Sequence, residues 1–173
     1  KSNEIVPCIA CNQACLDHTF SMKLTSCLVN PRACRETELN YNKVLTSKRI
    51  AVVGAGPAGI SFSITAAQRG HVVSLFEESN EIGGQLNFAK MIPGKEEFHG
   101  LLNYYKNEIK RLKIDLITDH KVKTTDLINF DEIIISTGVV PRKIDIEGQD
   151  KVNFVYDYQE VFNDRVKLGN RIA

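Results

Sequence analysis

The sequence predicts an α/β protein with an open, mostly parallel sheet, preceded by a small irregular segment. Short apolar strands alternate with helical stretches from residue 48 onward, and a glycine-rich turn joins the first strand to the first helix. The preceding segment stands apart because it holds all five cysteines, from Cys8 to Cys34. We therefore divide the chain into a cysteine segment, a sheet-forming half-domain and a connecting segment, at residues 1–47, 48–145 and 146–173.

The first βαβ unit is predicted from its apolar runs and stop signals. Residues 49–53 form a short apolar strand, and the helical stretch after the glycine turn runs to Arg69. Gly70 ends this helix because glycine readily adopts the left-handed conformation at the residue after a helix. Residues 71–76 then form the second parallel strand.

The later elements follow from helical spacing and from further apolar runs. One apolar face repeats over residues 96–112, which predicts an amphipathic helix packed on a sheet. Residues 169–173 resemble the beginning of another strand, and with the absence of an initiator methionine they lead us to expect a piece of a longer polypeptide. The remaining predicted strands are residues 114–118, 121–123 and 132–136.

Composition and charge exclude several classes of function. The chain is 43% hydrophobic and 25% charged, as in ordinary globular proteins, and it has no apolar run long enough to cross a bilayer. A formal net charge of +1 with scattered basic residues gives no reason to expect nucleic acid. An odd number of cysteines confined to one segment favours a metal site in a reducing compartment over a secreted disulfide scaffold. We therefore expect a cytoplasmic protein with neither a membrane nor a nucleic-acid partner.

The glycine turn has the spacing of a dinucleotide-binding loop. Gly54 permits the tight turn out of the strand, Gly56 lets the backbone approach a pyrophosphate, and Gly59 allows close packing of helix on strand. The phosphates then meet free N–H groups at the positive end of the helix dipole. Because the motif follows a strand and opens a helix, it has the context of a Rossmann-like FAD- or NAD(P)-binding domain.

An acidic residue follows the second strand, as such a site requires. Glu77 directly ends the apolar run, with Glu78 beside it. A carboxylate there accepts hydrogen bonds from the adenosine ribose and repels a 2′-phosphate, which favours FAD, NAD or ADP over NADP. We predict that Glu77 is the residue that faces the ribose.

Two later loops favour FAD among these nucleotides. A second glycine loop, with Gly84 and Gln85, follows the βαβ unit, and Gly138 ends a buried strand in a turn of small residues. A long, isoalloxazine-bearing cofactor needs backbone close to it at several points. We therefore predict FAD, with Gly138 near the cofactor phosphates.

The cysteine spacing predicts a metal centre. Cys8, Cys11 and Cys15 lie on one short stretch, and Cys27 follows after eleven residues. A [4Fe–4S] cluster takes one cysteine per iron, so three neighbouring thiolates and one distant thiolate suit it. A structural zinc site and plain thiols stay open as alternatives, although zinc ribbons prefer two CxxC pairs. We expect Cys34 to be a buried free thiol.

These motifs together resemble the NADPH-dependent 2,4-dienoyl-CoA reductase and NADH:flavin oxidoreductase family of iron–sulfur flavoproteins, to which trimethylamine dehydrogenase is distantly related. The resemblance is carried by the cysteine spacing, by residues 26–34, by the glycine loops at residues 53–59 and 81–85, and by residues 92–98 and 136–142. The resemblance implies [4Fe–4S] ligation by Cys8, Cys11, Cys15 and Cys27. It also implies FAD contacts at Gln13, Ala58, Glu77, Gln85, Lys95 and Val122.

The resemblance also implies partners within one polypeptide. It places an N-terminal FMN-binding barrel before the cysteine segment and an NAD(P)H domain after the chain, with electrons passing from NADPH through FAD and the cluster to FMN. On this reading the chain alone holds no catalytic residue. Two other readings stay open: an ADP-binding structural domain, as in the trimethylamine dehydrogenase branch, and the electron-input part of a glutamate-synthase-like enzyme, which the spacing to Cys27 disfavours.

Overall fold

Four short strands form one parallel sheet in a computed structural model of the chain, which describes residues 4–142, 144–152, 154–163 and 166–172. The sheet order is β3-β2-β1-β4, and every pairing in it is parallel. The strands are β1 (Arg49–Val53), β2 (Val72–Phe76), β3 (Asp115–Ile117) and β4 (Glu132–Ile135). The predicted α/β class is confirmed.

Five α-helices and two short 3₁₀-helices accompany the strands in the described residues. The 3₁₀-helices are Thr124–Leu127 and Gln149–Lys151. The α-helices are α1 (Leu16–Phe20), α2 (Pro57–Gln68), α3 (Leu86–Ala89), α4 (Glu97–Arg111) and α5 (Tyr158–Phe162).

The central strand β1 fixes where the strand ends meet. Val53, its last residue, is in register with Phe76 of β2 and with Ile135 of β4. Because all three strands run in the same direction, the residues that follow them emerge at one edge of the sheet. This edge carries the glycine loop, and it is where ligands bind in open parallel α/β sheets.

Helix α2 begins within the glycine turn and ends one residue before the predicted Arg69. Gly56 is its N-cap and Pro57 occupies the first turn, where a missing N–H costs nothing. Gly70 follows the helix with φ +98°, which suits a residue without a Cβ. The helix buries Ile60 and Ile64 against the sheet.

The helix-covered face of the sheet forms the hydrophobic core. Alternate residues of β1 and β2 point into it, and α4 adds the apolar stripe that its helical spacing predicts. The buried core side chains of these three elements are Ile50, Val52, Val73, Leu75, Leu101, Tyr105 and Ile109.

The cysteine segment packs against this half-domain despite having little regular structure. Ile9 and Val29 contact the core cluster as partly buried side chains. At its carboxyl end, Val44 N donates to Arg69 O at 2.9 Å and Ser47 Oγ donates to Gly70 O at 2.8 Å. The segment therefore belongs to the same compact unit as the sheet, and this unit ends at Gly138.

A second, smaller unit begins at Val139 and contains α5. Asp157 caps α5 by accepting a hydrogen bond from Glu160 N at 2.8 Å, and the Glu160 side chain accepts one from Asp157 N at 2.9 Å. Such a reciprocal capping box holds even a short helix. This short helix is absent from the sequence-based prediction.

Two predicted strands are wrong. Residues 121–123 do not pair with the sheet, because Lys123 N donates to Asp126 Oδ2 at 2.8 Å and opens the 3₁₀-helix Thr124–Leu127. The start of a strand predicted at residues 169–173 is not found in the described residues 169–172, and Ala173 lies outside the described residues. A strand forms only with a hydrogen-bonded neighbour, and the described part of the second unit offers none.

Candidate functional site

The glycine loop leaves β1 in a conformation that only glycine accommodates. Gly54 has φ +103°, and its N–H donates to Phe76 O at 2.8 Å. A Cβ on Gly54 would overlap the Ser136 carbonyl, and a Cβ on Gly59 would overlap the Gly54 carbonyl and crowd Ser136 Oγ. Two of the three motif glycines are therefore required by packing within the chain itself.

Gly56 differs from the other two because nothing lies within 4 Å of the position where its Cβ would be. Its φ of −74° is also open to any residue. The fold therefore gives no reason for glycine here. An external group that approaches the backbone, such as the pyrophosphate expected of this motif, gives one.

Ser136 holds the loop from the neighbouring strand, a role that sequence reasoning missed. Its hydroxyl lies 3.0 Å from Val53 O and 2.9 Å from Gly54 O, and its N–H donates to Val53 O at 2.8 Å. In the sequence, the only signal for this role of Ser136 is the pattern of a small polar residue at the end of a strand.

The second glycine loop lies directly against the first. Gly83 N donates to Ala55 O at 2.8 Å, and a Cβ on Gly84 would be 3.2 Å from Gly56 Cα. Both Gly83 and Gly84 have positive φ angles, 122° and 51°. The structure thus brings together the two loops that the sequence assigns to one cofactor.

Glu77 is hydrogen-bonded to the glycine loop, whereas Glu78 is largely exposed and pairs with Lys121. Glu77 Oε2 accepts from Ala55 N at 2.8 Å, and its Oε1 accepts from Ser79 N at 3.0 Å and Ser79 Oγ at 2.8 Å. Glu78 is two-thirds exposed and pairs with Lys121 Nζ at 3.4 Å. Of the two neighbours, only Glu77 is held by the loop that carries the motif.

A cavity of about 250 Å³ opens at this edge of the sheet. Beneath it, Phe76 contacts the ring of Phe130 edge-on and the ring of His120 at 5.8 Å. The His120 Nε2 atom lies 2.9 Å from Asp126 Oδ2, and this contact holds the His120 ring in the cavity wall. The cavity is lined by Val53, Gly54, Phe76, Glu77, Glu78, His120, Lys121, Val122 and Thr137.

The other residues assigned by the sequence lie outside this cavity lining. Ala58 is exposed in the first turn of α2, and Gln85 is exposed at the start of α3. Gln13 and Lys95 are exposed in loops. Gly138, with φ +80°, has open space where its Cβ would be. The structure therefore brings Gly54, Glu77 and Val122 to one cavity, and its lining includes neither these five residues nor Gly56, Gly59 and Gly84.

The cysteine segment has thiol donors but no assembled metal site in its described residues. Cys8 Sγ accepts a hydrogen bond from Ala10 N at 3.3 Å, and Ser26 N donates to Ala14 O at 2.8 Å, which ties the stretch before Cys27 to the other cysteines. All five cysteines are free thiols. In the described parts of the chain, no three His, Cys, Asp or Glu side chains converge into a metal-binding group.

The thiols of the cysteine segment are donors of the kind that an iron–sulfur cluster takes, with one thiolate on each iron. Ala10 and Asn12 have positive φ angles of 54° and 57°, so the loop between the first thiols is already bent.

Cys34 is a correction to the sequence analysis. It is exposed rather than buried, since it sits in a turn with φ +61° and its N–H donates to Glu36 Oε1 at 3.2 Å. A tight turn at the surface directs its side chain outward.

Comparison with known proteins decides the family. The family described as "Pyridine nucleotide-disulphide oxidoreductase" matches this chain over residues 48–171, which include both glycine loops and Glu77. The chain belongs to this family of oxidoreductases. The cysteine segment lies before the matched range.

Similar proteins extend the likeness over the cysteine segment. A metal reductase of Desulforamulus reducens is 38% identical over 98% of this chain, and an NADH oxidase of Thermoanaerobacter brockii is 35% identical over 97%. The solved structure of a 2-naphthoyl-CoA reductase in complex with 2-naphthoyl-CoA has a TM-score of 0.90 and 35% identity over 98%. The chain spans only 26–27% of the length of these three proteins.

No helix in the described ranges has the length and apolar character that a membrane span requires.

Proposed function

We propose that the chain is the electron-transfer part of an NAD(P)H-dependent flavin oxidoreductase that resembles 2,4-dienoyl-CoA reductase. In this proposal FAD lies along the two glycine loops and a [4Fe–4S] cluster is held by Cys8, Cys11, Cys15 and Cys27. When bound, the two groups carry electrons from NAD(P)H toward an acceptor such as FMN. The acceptor and the nucleotide donor belong to the FMN barrel and the NAD(P)H domain that the resemblance implies in the same polypeptide.

The adjoining glycine loops carry this proposal. Gly83 N binds Ala55 O, and Gly84 lies against Gly56, whose own Cβ position is open. Backbone free of side chains on both loops suits a long phosphate-bearing cofactor. The free N–H groups at the start of α2 then meet its phosphates.

Glu77 supports an unphosphorylated adenosine ribose at this site. Its carboxylate is fixed by three hydrogen bonds to Ala55 and Ser79, and it lines the cavity together with Val122. An anion in this position accepts from ribose hydroxyls and repels a 2′-phosphate. FAD and ADP both satisfy this requirement.

The cavity itself favours one second candidate, an ADP-binding domain without a redox role. The cavity of about 250 Å³ lies near Glu77 and Val122, on the adenosine side of the proposed nucleotide site. Gln85 and Lys95 do not line it. A cavity of this extent suits an adenosine nucleotide as well as one end of FAD.

The thiols of the cysteine segment support the cluster. Four cysteines with the expected spacing lie on one unit with the nucleotide loop, and Cys8 Sγ already accepts a backbone N–H, as cluster thiolates do. Free thiols also agree with the reducing cytoplasm that we propose as the location.

Absorption spectroscopy separates the two candidates. Protein reconstituted without oxygen should show flavin bands and hold about four irons and four sulfides, as a cubane cluster requires. Cys27→Ser should lose most of the iron while Cys34→Ser keeps it. Loss of iron in both variants alike contradicts the ligand assignment, and ADP binding without flavin bands supports the second candidate.

Calorimetry with FAD and with ADP tests the ribose contact. Glu77→Ala should weaken binding of either nucleotide by roughly 1–3 kcal/mol, as expected for lost charge-assisted hydrogen bonds. Glu78→Ala is the matched control and should bind as the unmodified chain does. The reverse ranking of the two variants would show that Glu78 holds the ribose.

A further inference from the structure

A second cavity of about 320 Å³ lies between the cysteine segment and helices α2 and α4. Residues of all three contribute to it, among them Val29, Arg32, Ser61 and Tyr104. It shares no lining residue with the cavity beside Glu77. Its volume is at the lower end of small-molecule sites, which are roughly 300–1,000 Å³.

Among the described residues, Arg32 is the one cation that lines this cavity, and its guanidinium is only partly used. The guanidinium lies 5.4 Å from the centre of the Tyr41 ring, and Nη2 donates to Glu36 O at 3.2 Å. Its Nε is buried without a hydrogen-bond partner among the described residues. A planar guanidinium pairs with a carboxylate through two parallel N–H bonds, and here its terminal nitrogens rather than the buried Nε would make them.

The loop that carries Arg32 is fixed rather than loosely placed. Arg32 N donates to Asn30 Oδ1 at 3.2 Å, and Arg35 N donates to Arg32 O at 2.8 Å. Stacking on Tyr41 orients the guanidinium further. The cation is thus held in position before any ligand arrives, which lowers the entropy cost of binding.

The remaining wall mixes polar side chains, such as Ser61 and Gln68, with aliphatic and aromatic ones, and Glu36 is its one other charge among the described residues. Val29 and Ile64 supply aliphatic surface, and Tyr104 adds a ring. Burial raises the pKa of Tyr104 to about 12, so its phenol stays neutral and can donate a hydrogen bond. Glu36 also lines the cavity, and its carboxylate disfavours ligands of high negative charge such as phosphate esters.

We propose that this cavity is a second ligand site, which binds a small, singly charged organic carboxylate with an apolar or aromatic body. The carboxylate pairs with Arg32, and the body lies against Val29, Ile64 and Tyr104. Because the ligand contacts both the cysteine segment and the helices, its binding stabilises the attachment of that segment. The site is separate from the proposed nucleotide site.

Benzoate is the probe, and benzamide is its neutral analogue of nearly the same shape. Ligand-observed NMR and thermal unfolding of the full chain should show benzoate binding with a raised midpoint, and benzamide at least about tenfold weaker. Inorganic phosphate and saturating ADP should not displace benzoate. Equal binding of benzamide, displacement by phosphate or ADP, or no benzoate binding up to about 10 mM overturns the proposal.

Matched arginine variants locate the site. Arg32→Gln should lose about tenfold or more in benzoate affinity. Arg35→Gln should keep it, since Arg35 also has a buried, unpartnered Nε but does not line the cavity. Ser61→Leu fills the cavity from an exposed position on α2 and should also weaken binding without disturbing Arg32. The proposal fails if Arg35→Gln loses as much as Arg32→Gln, or if Ser61→Leu binds normally.

Discussion

Replacing Gly59 and Gly56 one at a time by alanine separates packing from ligand binding in the glycine loop. A Cβ on Gly59 would overlap the Gly54 carbonyl and crowd Ser136 Oγ, so backbone has to move. Overpacking of this kind costs about 1–3 kcal/mol, and loss of the Ser136 hydrogen bond adds about 1 kcal/mol. The higher helix propensity of alanine returns about 1 kcal/mol. The expected net loss of folding stability is about 2 kcal/mol.

Gly56→Ala is the matched control for stability. Its Cβ meets nothing within 4 Å. A poorer N-cap costs about 0.5–1 kcal/mol, and the lower entropy of the unfolded chain offsets about the same amount. We expect stability within about 0.5 kcal/mol of the unmodified chain. Affinity for ADP should nevertheless fall by about tenfold or more, because the Cβ stands between the backbone and the pyrophosphate.

Urea denaturation followed by circular dichroism measures the first quantity, and calorimetry with ADP measures the second. For a domain of this size, 2 kcal/mol corresponds to a drop of roughly 4–8 °C in Tm. Two results would refute the reasoning. One is a Gly59→Ala protein as stable as the original, and the other is a Gly56→Ala protein that binds ADP with unchanged affinity.

Three further predictions concern the helix, the site wall and the cysteine segment. Arg111→Ala leaves the buried Glu108 carboxylate without its partner at 2.6 Å, so urea denaturation should show a loss of stability of about 2 kcal/mol. The loss is smaller than for a fully buried pair because Arg111 is half exposed. The double variant Arg111→Ala with Glu108→Leu should recover most of this stability, and a failure to recover it contradicts the pairing argument. Hydrogen bonds from the backbone of Lys123 and from a neighbouring histidine lower the pKa of Asp126. The contribution of Asp126 to stability is therefore present at neutral pH and is lost as the pH falls through this lowered pKa. A pKa of Asp126 at or above 3.8, measured by NMR titration, would contradict this. Without iron, residues 8–34 should exchange amide hydrogens faster than β1 and β2, and strong protection there would show that the segment folds without its metal.

Local patterns were enough to predict the βαβ unit. The apolar run before Gly54, the glycine turn itself and the glycine after Arg69 each act over a few residues. Such signals do not depend on the rest of the chain. The strand bounds at Arg49–Val53 are therefore as predicted, and α2 ends within one residue of the predicted end.

Contacts between distant residues could not be predicted in the same way. The bond of Ser136 to the Gly54 carbonyl exists only because β4 pairs beside β1. Residues 121–123 are apolar and basic like an edge strand, but Asp126 captures the N–H of Lys123. For Cys34, the general tendency of free cysteines to be buried gave the wrong answer, because the turn was not visible in the sequence.

The central position of β1 has a consequence for synthesis on the ribosome. Its β2 neighbour emerges soon after α2, but its β4 neighbour, beginning at Glu132, emerges only after the whole of α4 and the loop beyond it. Until then the nascent chain presents one unpaired edge of a strand rich in valine and isoleucine. Such an edge is a template for association with other nascent chains. Slow translation between β2 and β4 should therefore lower the soluble yield, whereas slow translation after β4 should not.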